Sequence, residues 1–231
     1  MSLDDGSRNI TILDCHSYYP ISEIKGSRRY AFYLTGMASL ALVKNCSAEY
    51  DRHQFVTTKC TPGPIVFTDC TATKCLSETG PHCFWATGVL YDYVRIDSGR
   101  ISVQDSDYNG TGVSHGWQGA NFVFWNCEAP KLVCQSPWQV EGRNSLGKNN
   151  CIGCIGTKYL STTRYNKIGD YLNDRPNGEW YPDPGEHGTN TEHVISGTYY
   201  GATANELSIY QAQLDQRKAT GQRVIPAEWY N

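Results

Sequence analysis

The sequence has no long apolar run. Its longest, Ala38-Ser39-Leu40-Ala41-Leu42-Val43, falls far short of the roughly 20 residues that span a bilayer, so no membrane span is expected. Charge of either sign is sparse: 20 Lys+Arg stand against 23 Asp+Glu, charged residues make up 19% of the 231 positions, and the net charge is −3. Without basic clusters, a nucleic-acid partner is not expected. No P-loop, Gly-x-Ser-x-Gly elbow or dinucleotide fingerprint occurs, which removes the commonest phosphate-binding and acyl-transfer readings. The first residues, Met1-Ser2-Leu3-Asp4-Asp5-Gly6, have neither the basic start nor the apolar centre of a signal peptide; the expectation is that sequence upstream is missing. Between residues 9 and 156 no stretch carries apolar residues at helical spacing, which argues against a doubly wound α/β fold.

Abundant instead are aromatics (Tyr 16, Trp 6, Phe 6), Gly 22 and Cys 10. Together with few Glu, Lys and Ala, they indicate a β-rich chain. The cysteines admit two readings, disulfides of an oxidising compartment or thiols that fill a core as small apolar groups. Cys151-Ile152-Gly153-Cys154 is a CxxC without a second pair at zinc-ribbon spacing, and strand alternation is expected to point its two thiols to opposite faces.

One pattern recurs roughly every 30 residues: a short apolar strand, a polar residue, then Cys. It appears as Ile10-Thr11-Ile12-Leu13-Asp14-Cys15, Leu40-Ala41-Leu42-Val43-Lys44-Asn45-Cys46, Ile65-Val66-Phe67-Thr68-Asp69-Cys70, Phe122-Val123-Phe124-Trp125-Asn126-Cys127 and Asn150-Cys151-Ile152-Gly153-Cys154. Gly88-Val89-Leu90-Tyr91-Asp92-Tyr93 holds the missing place, with Tyr93 aligned to Cys. Stacked parallel coils pile equivalent residues into ladders about 4.8 Å apart, and a cysteine ladder is a natural interior filler. The fold expected is all-β, a parallel β-helix (solenoid). Residues 1–156 form its coils; 157–231 form a loop-rich tail with a C-terminal helix capping the same domain. That helix is expected to start with Asn205 as N-cap, to carry Leu207, Tyr210 and Leu214 on one face, and to stop at Gly221. The ladder thiols are expected to be reduced, since parallel ladder side chains miss the disulfide torsion.

If the cysteines are in register, so are the turns after them. The column predicted on one flank is Arg29, His53, His82, His115 and Asn144, with Tyr30, Arg52 and Arg143 adjoining and Trp85 and Trp117 close behind. If the column is a site, His82→Ala is expected to change stability by no more than about 0.5 kcal/mol; if His82 is structural, its removal is expected to cost roughly 1–3 kcal/mol by stranding a buried partner. Arg presents a planar fork to a carboxylate, His exchanges a proton near neutrality, and Trp faces suit sugar rings. A cofactor is not expected; Asp105-Ser106-Asp107-Tyr108-Asn109-Gly110 weakly resembles a Ca²⁺ loop but lacks the closing glutamate.

The segments RRYAF, CSAEYDRHQFVT, GPIVFTDC, GPHCFWATG, HGWQGANFVFWNC and CIGCIG resemble a group of secreted microbial right-handed parallel β-helix proteins, similar in architecture to pectate-lyase-like polysaccharide-degrading enzymes. The resemblance covers residues 9–156 and the terminal Ile209-Tyr210-Gln211-Ala212-Gln213-Leu214 segment. It implies an extracellular setting and a polysaccharide or glycan partner. The chain departs from the group at Gln54, where relatives carry a carboxylate, and at Cys83-Phe84, where they carry His-Arg.

Two functions follow as expectations. One is a polysaccharide lyase acting on an acidic polysaccharide. Arg52 or Arg29 would pair with a uronate carboxylate, His82 (or His53 or His115) would be the base, and Tyr30 would protonate the leaving oxygen. Trp85, Trp117, Asn144 and Arg143 would hold the chain. The other is a non-catalytic glycan-binding, adhesive or structural module. A glycoside hydrolase is less favoured: it needs two carboxylates about 5–10 Å apart, and among Asp51, Glu78 and Asp92 no pair stands out.

Overall fold

Each repeat of strand, polar residue and cysteine becomes one corner of a coil. The computed structural model describes residues 1–83, 85–107, 114–134, 149–159 and 206–221, and these build a parallel β-solenoid of about five turns. One sheet stacks Arg8–Leu13, Ser39–Lys44, Ile65–Thr68, Ala86–Asp92, Gly119–Trp125 and Asn150–Ile152 in chain order. A second stacks His16–Tyr18, Ser47–Glu49, Thr71–Thr73, Arg95–Ile96 and Glu128–Cys134, with Ile155–Tyr159 beyond. A third holds Ser2–Leu3, Tyr30–Leu34, His53–Thr57 and Gly80–Pro81.

The corner works through backbone handedness. Asp14, Asn45, Asp69, Tyr93 and Asn126 all have φ between 46° and 57°, and Gly153 has 67°. Asn, Asp and Gly tolerate this left-handed conformation best, which explains the polar residue before each cysteine. The next side chain then points inward: Cys46, Cys70, Cys127 and Cys154 are at most 1% exposed. Their Sγ atoms donate to carbonyls of the adjacent coil, those of Ile12, Val43, Tyr91 and Phe124. All ten cysteines are free.

The register corrects two expectations. Arg95 pairs with Thr71 on one side and Glu128 on the other, so Val94, not Tyr93, stands in the cysteine ladder; Tyr93 is the left-handed corner. Cys151 and Cys154 both point inward, fully buried, because the left-handed Gly153 between them resets the strand alternation.

Between the sheets lies a continuous ladder, Ile12-Val43-Phe67-Tyr91-Phe124-Cys151, each in register with the next. Phe32 stacks on Phe55 at 5.4 Å and Phe67 on Tyr91 at 4.8 Å. Each such side chain contributes about 1.5–3 kcal/mol of burial. The Tyr91 hydroxyl is satisfied by the Phe55 carbonyl.

Among the described residues, parallel stacking is broken once. Asp105–Asp107 and Ser114–Trp117 form an antiparallel pair, which takes up the long spacing between Tyr93 and Cys127. Asp105–Asp107, the start of the supposed Ca²⁺ loop, is therefore a strand, and Tyr108 to Gly110 lie outside the described residues.

The helix Ile209–Thr220 begins later than expected. Ser208 is its N-cap, accepting from the Gln211 N–H, and Gly221 ends it at φ 65°; Leu207 lies before the helix, 52% exposed. Its described contacts run along the outside of the first-named sheet. Asp92 accepts from Ser208 Oγ and from the Ile209 and Tyr210 N–H groups. Lys44 reaches Gln211, and the Trp125 indole donates to the Glu206 carbonyl.

Candidate functional site

A solenoid strand ordinarily buries alternate residues, but His53–Thr57 buries all five. Its outer face is covered, so His53 and Gln54 need polar partners inside. Gln54 finds them in the Asp51 carbonyl and Thr79 Oγ1. His53 finds one at Glu78, whose carbonyl lies 2.9 Å from Nδ1. That carbonyl can only accept, so Nδ1 carries the proton and Nε2 is the bare nitrogen; His53 Nε2 is buried with no hydrogen-bond partner.

The stretch Gly80-Pro81-His82 brings a second imidazole against the first. Gly80 has φ 131°, and a Cβ there would collide with the Ser102 carbonyl, so only glycine lets the chain pass this close to the next coil. The His82 N–H then bonds the Thr57 carbonyl at 2.9 Å, and its ring centroid lies 4.3 Å from that of His53. His82 Nδ1 is 2.9 Å from Glu78 Oε1 and donates to it. His115 continues the row, 4.9 Å from His82 and edge-on to it, but it arrives on the return strand of the antiparallel pair and not on a stacked turn. Tyr30 closes the other end, 4.8 Å from His53 and 5.8 Å from His82. Arg52 donates to the Tyr30 hydroxyl at 3.2 Å.

The electrostatics follow from burial. Desolvation pushes His53 well below the ordinary imidazole value, with Glu78 opposing, so the ring is neutral. For Glu78, burial works against the charge, but the hydrogen bond from His82 and the Arg100 cation outweigh it and hold the carboxyl below its usual range. Burial raises Tyr30 against the pull of Arg52, keeping its hydroxyl protonated.

The structure thus brings His53, His82 and His115 into one row with Tyr30 and Arg52, but not by the common register expected: His53 pairs with Tyr30, and Pro81 pairs with Thr57, which leaves His82 level with Thr58. Other expected members stand elsewhere. Arg29 turns away and donates to the carbonyls of Ser22 and Tyr50. Trp85 is half-buried and tied by its N–H to the Trp117 carbonyl. Trp117 is only 6% exposed and so has no free ring face for a sugar. Arg143, Asn144 and Phe84 lie outside the described residues. Cys83 turns its thiol to Thr58.

The outer-flank placement of the histidines also needs correction. His53 is 0% and His82 8% exposed, because Glu78 and the following coil cover them. Glu78 itself is the residue that sequence reasoning left without a role. The signal was present as Glu78-Thr79-Gly80-Pro81-His82, a carboxylate just before a Gly-Pro turn that carries a histidine. Asp92 serves the helix, and Asp51 accepts from Ser17 Oγ, so neither pairs with Glu78 as a glycosidase dyad.

No family model, curated protein or solved structure matches the chain.

Proposed function

We propose that this cluster is a glycan site and that the protein is an extracellular lyase cleaving an acidic polysaccharide by β-elimination. The observation that carries the reading is the His82–Glu78 pair with Tyr30 and Arg52 beside it. Glu78 fixes the His82 tautomer by accepting from Nδ1, so Nε2 has the lone pair a general base needs. Arg52 carries the positive charge that a uronate carboxylate would meet, which acidifies the neighbouring C–H. His82 Nε2 takes that proton; the electron pair forms the carbon–carbon double bond, and the glycosidic C–O bond breaks. The leaving oxygen takes the Tyr30 proton, which solvent restores as it removes the one on His82. Tyr30, Arg52 and His115 are half-buried, and they form the part of the cluster that a polymer would reach.

A second reading, a glycan-binding or structural coil without turnover, is favoured by the near-complete burial of His53, Glu78 and His82. The test is incubation with a panel of polyuronates while following the absorbance of unsaturated products, with chelator present. The lyase reading expects product formation that falls at least about 100-fold in Tyr30→Phe. Glycan binding without product supports the second reading, and neither binding nor product removes both glycan readings.

A further inference from the structure

We propose that His53, Glu78 and His82 form a binding site for a divalent transition-metal ion of the zinc type. One ligand atom from each of the three lies within 4.8 Å of the other two. Glu78 Oε1 is 2.9 Å from His82 Nδ1, and an ion between them would replace the proton that Nδ1 donates; His53 would ligate through Nε2, because its Nδ1 proton is held by the Glu78 carbonyl. Donors around a tetrahedral ion, each about 2.0–2.2 Å from it, stand roughly 3.4 Å apart, so the Glu78–His82 pair would open by about half an ångström to admit one. The donors are also rigid: the two rings are packed 4.3 Å apart between Tyr30 at 4.8 Å and His115 at 4.9 Å, and the strand that carries His53 is buried throughout. Little side-chain entropy remains to be lost on coordination.

An independent observation comes from His53. It is wholly buried, yet Nε2 has no hydrogen-bond partner. Leaving a buried polar atom unsatisfied costs about 1–3 kcal/mol, and the folded chain offers this nitrogen nothing in return. An imidazole with a nitrogen to spare, beside a second imidazole and a carboxylate, is a ligand set and not a completed hydrogen-bond network. Two nitrogens with one carboxylate select zinc, copper, nickel, cobalt or iron over calcium and magnesium, which require oxygen donors throughout. Three protein ligands leave a fourth position for water.

The proposal does not rest on the glycan reading. A bound ion would compete for the imidazole that reading uses as a base, so metal binding is read without glycan and turnover is read in chelator. The test titrates the full chain, stripped with chelator, with Zn²⁺ by calorimetry and with Co²⁺ by visible absorption. We expect one equivalent of Zn²⁺, no heat with Ca²⁺ or Mg²⁺, and Co²⁺ bands without the near-ultraviolet thiolate charge transfer that the free cysteines would give. Glu78→Gln and His82→Gln should each weaken Zn²⁺ at least about 100-fold, while Cys60→Ser, at an exposed thiol, leaves it unchanged. Circular dichroism of the metal-free variants establishes that they are folded; if either is not, the wild-type Co²⁺ spectrum decides alone. Absence of Zn²⁺ binding, thiolate bands with Co²⁺, or undiminished affinity in a folded Glu78→Gln protein would each overturn it.

Discussion

His82 donates to a carboxylate that is itself buried, so removing the ring takes the donor from Glu78 Oε1 and leaves Ser77 Oγ as the donor to Oε2. His82→Ala should therefore cost roughly 1–3 kcal/mol, read as a lowered midpoint in urea, and not the near-zero change of an exposed turn. A midpoint within experimental error of wild type would mean that Glu78 is satisfied some other way. The contrast shows what the sequence carries at this scale. It places three histidines near one another in successive coils, and they do meet, but out of register: His53 pairs with Tyr30, His82 lies one residue past the Pro81–Thr57 pair, and His115 stands on an antiparallel strand. It does not carry their burial, because what covers His53 is Glu78 and a strand from the following coil. Arg29 shows the same limit. It stands next to Tyr30 in sequence, but its φ of 57° swings the side chain to the Ser22 and Tyr50 carbonyls.

At the scale of elements, the strand–polar–Cys unit was legible because each of its parts has one physical reason. The strand fills the core, the polar residue accepts a left-handed backbone, and cysteine fits the inward corner. The slip at Tyr93 arose where an aromatic occupies the left-handed position, so that Val94 takes the cysteine place without the usual polar signal before it. This assigns a test to the corner. Asp69 has φ 53°, so Asp69→Gly should be tolerated, while Asp69→Val should cost about 1–2 kcal/mol of strain, measured by chemical denaturation of both. Equal midpoints for the two variants would refute the backbone account. The helix start was misread for a different reason. Asp92 lies more than a hundred residues away in sequence, yet its carboxylate accepts from the first two helical N–H groups and from Ser208. Asp92→Ala should remove an N-terminal anchor worth about 1–2 kcal/mol. Hydrogen exchange should then speed up across Ile209–Thr220 while the coils keep their protection. Unchanged protection of the helix would show that Lys44 and Trp125 hold it without Asp92.

At the scale of the whole molecule, the coils share one interior, so buried ionisable groups in the third-named sheet govern how the entire solenoid responds to acid. His53 is neutral when folded, with its pKa well below the ordinary 6.5. As pH falls through 6.5 the unfolded chain gains a proton that the folded one refuses, and stability is lost. Glu78, depressed below 4.5, adds a second loss as pH falls below that value. Asp51 acts in the opposite sense. Burial raises its carboxyl from 3.8 to about 6, against the pull of the Ser17 hydroxyl. Its folded form holds the proton more tightly, so its unfavourable contribution is complete above pH 6 and disappears as pH falls to 3.8. Asp51→Asn removes that charge while an amide oxygen can still accept from Ser17. The variant should be more stable than wild type at pH 7 by about 1–3 kcal/mol. The advantage should shrink as pH drops through 6 and vanish below 3.8, where wild-type Asp51 is itself protonated. With the opposing group gone, the variant should also lose stability more steeply between pH 6.5 and 4, because His53 then acts alone there. Urea midpoints of both proteins at pH 7, 5.5 and 4 give this directly; an advantage that stays constant across the three pH values would show that Asp51 does not titrate inside the fold.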